Sequence, residues 1–236
     1  MNNPTLTNVS LCAIVRDEKM NPAGGIVDFL DTIVPHVAEA VIVDTGSIDG
    51  TREILEAAKE KHLNLKVVDH VWKGYADARN RSLDAATQPY AFILDADERI
   101  ERKSIDAIKE ALDNFEQDYF DITSTHISPD GRTTTNGCEV PTMTLRILKA
   151  APRFRFLATG NGGAYEYISM IQYGRVRVHN PIANATILHF LPDHEGLALK
   201  TTGWYYSMDI LCVAPSEVPS FPKWKAFNPQ RSKYDF

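Results

Sequence analysis

Residues 40–51 read Ala40-Val41-Ile42-Val43-Asp44-Thr45-Gly46-Ser47-Ile48-Asp49-Gly50-Thr51. Ala40 to Asp44 is apolar up to its closing aspartate, the pattern of a strand covered on both faces. The glycines that follow let the backbone turn tightly and approach a ligand closely. Asp49 or Thr51 can then cap a helix that carries Ile54, Leu55 and Ala58 on one side. Related units lie on either side. Val9 to Val15 has a strand's length, and Ile26, Phe29, Leu30, Ile33, Val34 and Val37 recur after it at helical spacing. Pro35 is placed to bend or finish that helix. Leu65 to Val68 reads as a strand, Gly74 to Ala86 as a helix, and Tyr90 to Leu94 as a strand ending at Asp95. Ser104 caps a further helix that turns Ile105, Ile108, Leu112 and Phe115 inward. Strands alternating with helices in this way predict an α/β fold with a mostly parallel central sheet flanked by helices. Ligands of such sheets sit at the carboxyl ends of the strands, which is where Asp44 and Asp95 fall.

The second half changes character. Tyr119 to Thr125, Thr144 to Lys149, Arg153 to Leu157 and Arg175 to His179 read as short strands, with a turn at Pro129-Asp130-Gly131 and glycines at Gly160, Gly162 and Gly163. This predicts a mixed sheet with long loops. The expected organisation is residues 1–118 as one half of a domain, 119–212 as its other half, and 213–236 as a tail rich in proline and aromatics.

The chain has 236 residues, 44% of them hydrophobic and 24% charged, close to the averages of soluble globular proteins. A chain of this size buries roughly 70% of its unfolded surface and needs no structural cross-link. The net charge of −6 disfavours a general nucleic-acid binder, while a local basic pocket for phosphate stays open. Cys12, Cys138 and Cys212 are odd in number and form no C-x-x-C pair, so neither a disulfide framework nor a zinc ribbon is expected. With no charged-then-apolar leader and no run of about 18 apolar residues, the expected setting is cytoplasmic, with peripheral contact at the inner membrane face left open.

The central chemical signal is Leu94-Asp95-Ala96-Asp97-Glu98. In an extended segment, carboxylates two residues apart share one side. Just past a buried strand they offer hard oxygen ligands for Mg2+ or Mn2+, and a diphosphate can complete the shell. Asp-x-Asp alone matches many surface turns; its position at the ligand-binding edge gives it weight. Arg16-Asp17-Glu18, just past the first strand, is by itself an ordinary solvated charge run. Arg79, in Tyr75-Ala76-Asp77-Ala78-Arg79-Asn80, has a fork that suits phosphate, although a helical arginine more often makes a surface ion pair.

In order along the chain, Cys12-Ala13-Ile14-Val15-Arg16-Asp17-Glu18, Ile42 to Thr51, Ala78-Arg79-Asn80 and Leu94 to Glu98 resemble the family 2 glycosyltransferases of the GT-A (Rossmann-like) fold. The likeness is to the branch holding lipopolysaccharide-core glucosyltransferases and bacteriocin S-glycosyltransferases. The resemblance implies a nucleoside-diphosphate sugar donor, a UDP-sugar being favoured, and a Mn2+ or Mg2+ cofactor. Asp44 would contact the base or ribose, with Arg16, Glu18, Gly46 and Ser47 lining the same pocket. Arg79 would lie near the diphosphate or sugar, Asp95 and Ala96 beside the ribose or sugar, and Asp97 on the metal. His189 matches a position from which a histidine reaches the metal or diphosphate. Reaction would invert the anomeric carbon with a carboxylate base. Glu166 is nominated as that base, following Tyr165, which stands where the branch has histidine; Asp130 is a second candidate.

A binding module that keeps the fold without turnover and a sugar-phosphate nucleotidyltransferase are the competing readings. The second needs a Gly-rich phosphate loop with a nearby basic residue, and Gly24-Gly25 is a poor version of one. The acceptor is open between saccharide, lipid-linked glycan, peptide and modified DNA.

Overall fold

Side-chain alternation along the first strand sets the layers. In β1 (Leu6–Val15), Val9, Leu11, Ala13 and Val15 enter one apolar cluster while Cys12 enters the opposite one. In β4 (Tyr90–Ile93), Tyr90 and Phe92 join the first cluster, and Ala91 and Ile93 the second. Both strands are therefore covered on both faces, as their continuous apolar runs predict. The computed structural model describes residues 4–130, 132–134, 142–150, 154–158, 166–169, 180–191 and 235–236.

The helices divide between the two faces. The larger cluster takes its residues from α1 (Gly25–Ile33), α2 (Thr51–Ala58) and α4 (Arg102–Asn114). Against the smaller cluster pack Ala76 and Leu83 of α3 (Tyr75–Ala85), together with Phe154 and Phe156. A 3-10 turn at Val34–His36, with Pro35 inside it, ends the first helical run as expected.

The remaining strands are β2 (Val37–Asp44), β3 (Leu65–Asp69), β5 (Glu98–Ile100), β6 (Tyr119–Ile127), β7 (Thr133–Thr134), β8 (Thr142–Lys149), β9 (Arg155–Ala158), β10 (Glu166–Ser169) and β11 (Pro181–Phe190). The main sheet runs β3-β2-β1-β4-β8-β6-β11-β5, with β7 on β6; β9 and β10 pair separately. The first four strands are parallel, β8 is antiparallel to both β4 and β6, and β11 returns parallel to β6. The α/β fold and the mixed character of the second half match expectation. The chain leaves β1 toward β2 on one side and reaches β4 on the other, so a topological switch point opens beyond the carboxyl ends of β1 and β4. Among the described residues, no helix is long and apolar enough to cross a membrane.

Several local expectations need correction. The α4 helix starts at Arg102 with Glu101 as its N-cap residue. Ser104 lies inside the first turn, where its hydroxyl accepts the Thr186 amide of β11 (3.0 Å). Phe115 follows the last turn and is exposed, because the helix has ended before it could face the core. Gly50, at φ 100°, is the N-cap position of α2, and Asp49 caps from one residue earlier by accepting the Thr51 amide (2.9 Å). The expected strand Arg175–His179, Cys138, Cys212, the Gly160–Gly163 loop, Tyr165 and tail residues 213–234 lie outside the described residues.

Beyond β4 the chain is locked by Arg99, the largest fully buried side chain. Its Nε donates to Asp28 Oδ2 (2.9 Å), Nη1 to the carbonyls of Ala96 (2.8 Å) and Glu98 (2.6 Å), and Nη2 to those of Ala23 and Gly25 (3.1 Å each). All five N–H donors of a guanidinium are thereby used, and the group also lies 5.5 Å from the Phe29 ring centroid. Gly25 belongs to the same knot: at φ 86°, a Cβ there would stand 2.4 Å from the Lys19 carbonyl oxygen. Replacing Arg99 by methionine strands four carbonyls in the interior and takes the guanidinium from the half-buried Asp28. The expected loss is about 3–5 kcal/mol of unfolding free energy, as for other broken buried pairs, read from urea unfolding; a loss below about 1 kcal/mol would show that the turn holds without it.

Candidate active site

Three groups of side chains meet at the carboxyl edge of the parallel strands. The first lies past β1 and β2. Asp44 closes β2, and its carboxylate is taken up by its own turn: Oδ1 accepts the Gly46 and Ser47 amides (3.0 Å each) and Oδ2 the Ser47 hydroxyl (2.5 Å). Asp17 holds a left-handed backbone at φ 56°. Its Oδ1 accepts the amides of Ile48 (2.7 Å) and Asp49 (3.3 Å), and its own amide donates to Ser47 Oγ (2.9 Å). Arg16 donates from Nη1 to the Thr45 carbonyl (3.3 Å). Burial pushes the Asp17 carboxyl upward against the pull of the Ile48 amide, and it lowers Arg16 against the pull of Asp17 and Asp44.

The second group surrounds the Asp95-Ala96-Asp97 segment. This segment is a turn and not the extended stretch expected. The Glu98 amide bonds the Asp95 carbonyl (2.9 Å), and the Asp95 amide bonds Glu98 Oε2 (2.9 Å). The turn parts the two aspartates. Asp95 pairs with Arg79 of α3, while Asp97 stands 3.4 Å from His189 Nε2 on β11. Glu98 receives both arms of Arg146 from β8 (3.0 and 2.6 Å). Although burial works the other way, Arg79 and Arg146 hold the Asp95 carboxyl below its usual range. Burial pushes Glu98 up, and Arg146 opposes it only in part.

The third group is a histidine pair. His189 is the register partner of His126 on β6 and of Glu98 on β5, and the two rings meet edge to face with centroids 4.8 Å apart. Burial, followed by repulsion from His189, pushes His126 down to about 4. Asn21 joins the groups. Its Nδ2 donates to Glu18 Oε2 (2.9 Å) and to the Ala96 carbonyl (2.8 Å), and its Oδ1 accepts the Ala23 and Gly25 amides (3.0 and 2.9 Å).

The fold therefore gathers Arg16, Glu18, Asp44, Gly46, Ser47, Arg79, Asp95, Ala96, Asp97 and His189 along one edge. The backbone of Glu166 lies in β10 against Ala158 of β9, and its side chain is outside the described residues. Asn80 clamps β9 to α3 through both halves of its amide, donating to the Phe156 carbonyl (3.0 Å) and accepting the Phe156 amide (2.9 Å). Asp130 is exposed and pairs with Arg132 (2.6 Å), which gives it a structural role in its turn.

Among the described residues, no three His, Cys, Asp or Glu side chains close around a metal. Asp97 and His189 still fit a divalent ion that shares its shell with a substrate. His189, about a quarter exposed, and the largely buried Asp97 would supply one nitrogen and one oxygen ligand, the other positions falling to phosphate oxygens and water. The sequence does not single out Asn21, His126 or Arg99; Asp17 stands there only within the Arg16-Asp17-Glu18 triplet, and Arg146 only as the arginine strand that precedes the Gly160–Gly163 loop and Glu166 in the family pattern. A signal existed for Asn21, in a Pro-and-Gly-rich loop between strand and helix. None existed for His126, whose place follows only from the β6–β11 register.

Known proteins supply a context for this geometry. Over 75 residues the chain is 35% identical to a lipopolysaccharide core biosynthesis glycosyltransferase, LpsC, of Rhizobium meliloti, covering 32% of this chain and 28% of that protein. Over 152 residues it is 32% identical to a TPR repeat-containing protein of Synechococcus elongatus, covering 64% of this chain and 34% of that one. The chain thus spans about a third of the length of these relatives. Among solved structures, S. aureus TarS 1-349 in complex with UDP-GlcNAc aligns with a TM-score of 0.45 at 23% identity, over 57% of this chain and 37% of that one. The family model described as glycosyl transferase family 2 matches residues 26–173, more than half of the chain, and the protein belongs to that family.

Proposed function

We propose that the protein transfers a sugar from a nucleoside-diphosphate donor, a UDP-sugar being favoured, to an acceptor nucleophile, with inversion at the anomeric carbon. The observation that carries this reading is the turn at Asp95–Glu98. It aims one carboxylate at His189 and the other at Arg79, at the switch point of a family 2 sheet. A carboxylate–imidazole pair beside a guanidinium is what a metal-bound diphosphate needs: ligands for the ion and a cation for the remaining phosphate charge.

Residues 1–118 then form the donor half and 119–212 the acceptor half. Arg16, Glu18, Asp44, Gly46 and Ser47 bind the nucleoside; in that role Asp44 shapes the pocket through its turn. Asp95 and Ala96 lie beside the ribose and sugar. Asp97 and His189 hold Mn2+ or Mg2+, which when bound supplies Lewis-acid stabilisation of the departing diphosphate. His126 keeps a neutral ring against His189 at physiological pH, so no second positive charge competes with the ion. Arg79 exchanges Asp95 for phosphate oxygens as the donor enters. Glu166 takes the proton of the attacking group while the bond from acceptor to anomeric carbon forms and the bond from that carbon to the phosphate oxygen breaks. The LpsC likeness favours a glycan acceptor, free or lipid-linked, over peptide and modified DNA.

Two outcomes test the assignment. Asp97→Ala is expected to lose Mn2+-supported UDP binding by at least about tenfold in titration calorimetry, with binding in EDTA little changed; equal Mn2+-supported affinity would remove Asp97 from the metal. Glu166→Gln is expected to keep donor affinity and lower transfer by about a hundredfold or more, the scale of general-base catalysis. Retained transfer would remove Glu166 as base.

A further inference from the structure

At the tip of β1, three buried polar atoms find no hydrogen-bond partner among the described residues: Arg16 Nε, Arg16 Nη2 and Asp17 Oδ2. They sit on adjacent residues, and Nε is 3.8 Å from Oδ2, beyond hydrogen-bond reach. The other polar atoms of these side chains are engaged, Nη1 with Thr45 and Oδ1 with Ile48 and Asp49. Unpaired buried polar atoms are costly and uncommon, and Asp17 adds a left-handed backbone, a form of strain that concentrates where ligands bind. Asp44 contrasts with them, since its own turn occupies both of its oxygens.

We propose that Arg16 and Asp17 read the lactam edge of the donor nucleobase, a reading that rests on the nucleotide-sugar function proposed above. The pair presents an N–H donor beside an acceptor oxygen. Its complement is a rigid planar edge with an acceptor beside a donor, which is the C=O next to ring N–H of uracil and of guanine. With ribose and diphosphate held in place, cytosine and adenine reverse those positions. An amino group then faces the guanidinium and a bare ring nitrogen faces the carboxylate. Because the two side chains are already out of water, they lose no hydration when the base docks, so the mismatch is felt in full. The Thr45–Asp49 turn covers the pair through its bonds to both residues, and the base docks as that turn gives way. Asp17 is then a specificity residue of the donor site.

The test is titration calorimetry of UDP, GDP, CDP and ADP with Mn2+ against the full chain and its Asp17→Asn and Arg16→Lys variants, with circular dichroism as the control for folding. In Asp17→Asn the amide carbonyl oxygen can keep the bonds to Ile48 and Asp49 while an N–H takes the place of Oδ2. The wild type is expected to bind UDP and GDP about tenfold or more tighter than CDP and ADP, the scale of a good two-point base contact. Asp17→Asn is expected to remove that preference, since its N–H meets the ring N–H of uracil and guanine donor to donor, while the guanidinium still opposes the amino group of cytosine and adenine. Arg16→Lys, which loses the fork, should narrow the preference as well. Equal wild-type affinities for the four nucleotides would overturn the proposal even if the variants failed to fold. So would an Asp17→Asn variant that weakened all four alike, the mark of a ribose contact or a structural role. A wild type that bound none of them would overturn the transferase reading along with this one.

Discussion

Arg99 touches no side chain to which chemistry is assigned, yet the site depends on it. An Asp-x-Asp turn directly after a buried strand leaves carbonyl groups pointing into protein, where water cannot satisfy them. The Arg99 guanidinium meets those of Ala96 and Glu98 on one side and those of Ala23 and Gly25 on the other, with Asp28 neutralising its charge. One side chain thus fixes the acidic turn to the start of α1. The aspartate side chains can then turn to Arg79 and His189, because the turn's backbone is anchored inward.

A second tie, at Asn21, runs between the same two regions and extends to Glu18. The loop after β1 and the turn after β4 are consequently one polar unit, although they are far apart in sequence. Within it, charge is distributed by sign. Asp95 faces Arg79, Glu98 faces Arg146, and Asp97 faces a histidine pair whose half-buried member, His126, is held neutral. Carboxylates this close would repel strongly if unpaired; each has a partner of its own.

The parallel half of the fold is legible in the sequence because buried strands and amphipathic helices write distinct periods into it. Ala40 to Asp44 and Tyr90 to Leu94 can scarcely be read otherwise. The charged residues of the carboxyl edge are legible for a related reason: they sit where strands end, and strand ends are visible as the last apolar residue before a charge. The acidic turn reads as extended in sequence, since nothing local shows that Glu98 caps back onto Asp95. Asp44 is legible as important but not as saturated by its own turn. The short β5 and the full length of β11 escape a sequence reading. Strands of three residues carry little periodicity, and Pro181 to Phe190 alternates only in its last part. His126 becomes a neighbour of His189 through pairing between distant strands, which no window of sequence contains.

The paired hydrogen bonds between the Asn80 side-chain amide and the Phe156 backbone join α3 to β9. Two parallel hydrogen bonds resist twisting as well as separation, so α3 and β9 move as a single lever. Arg79 sits one position before the pivot, and β10, with the backbone of Glu166, runs alongside the far arm. The ribbon of β9 and β10 is thereby tied to the helix that carries Arg79.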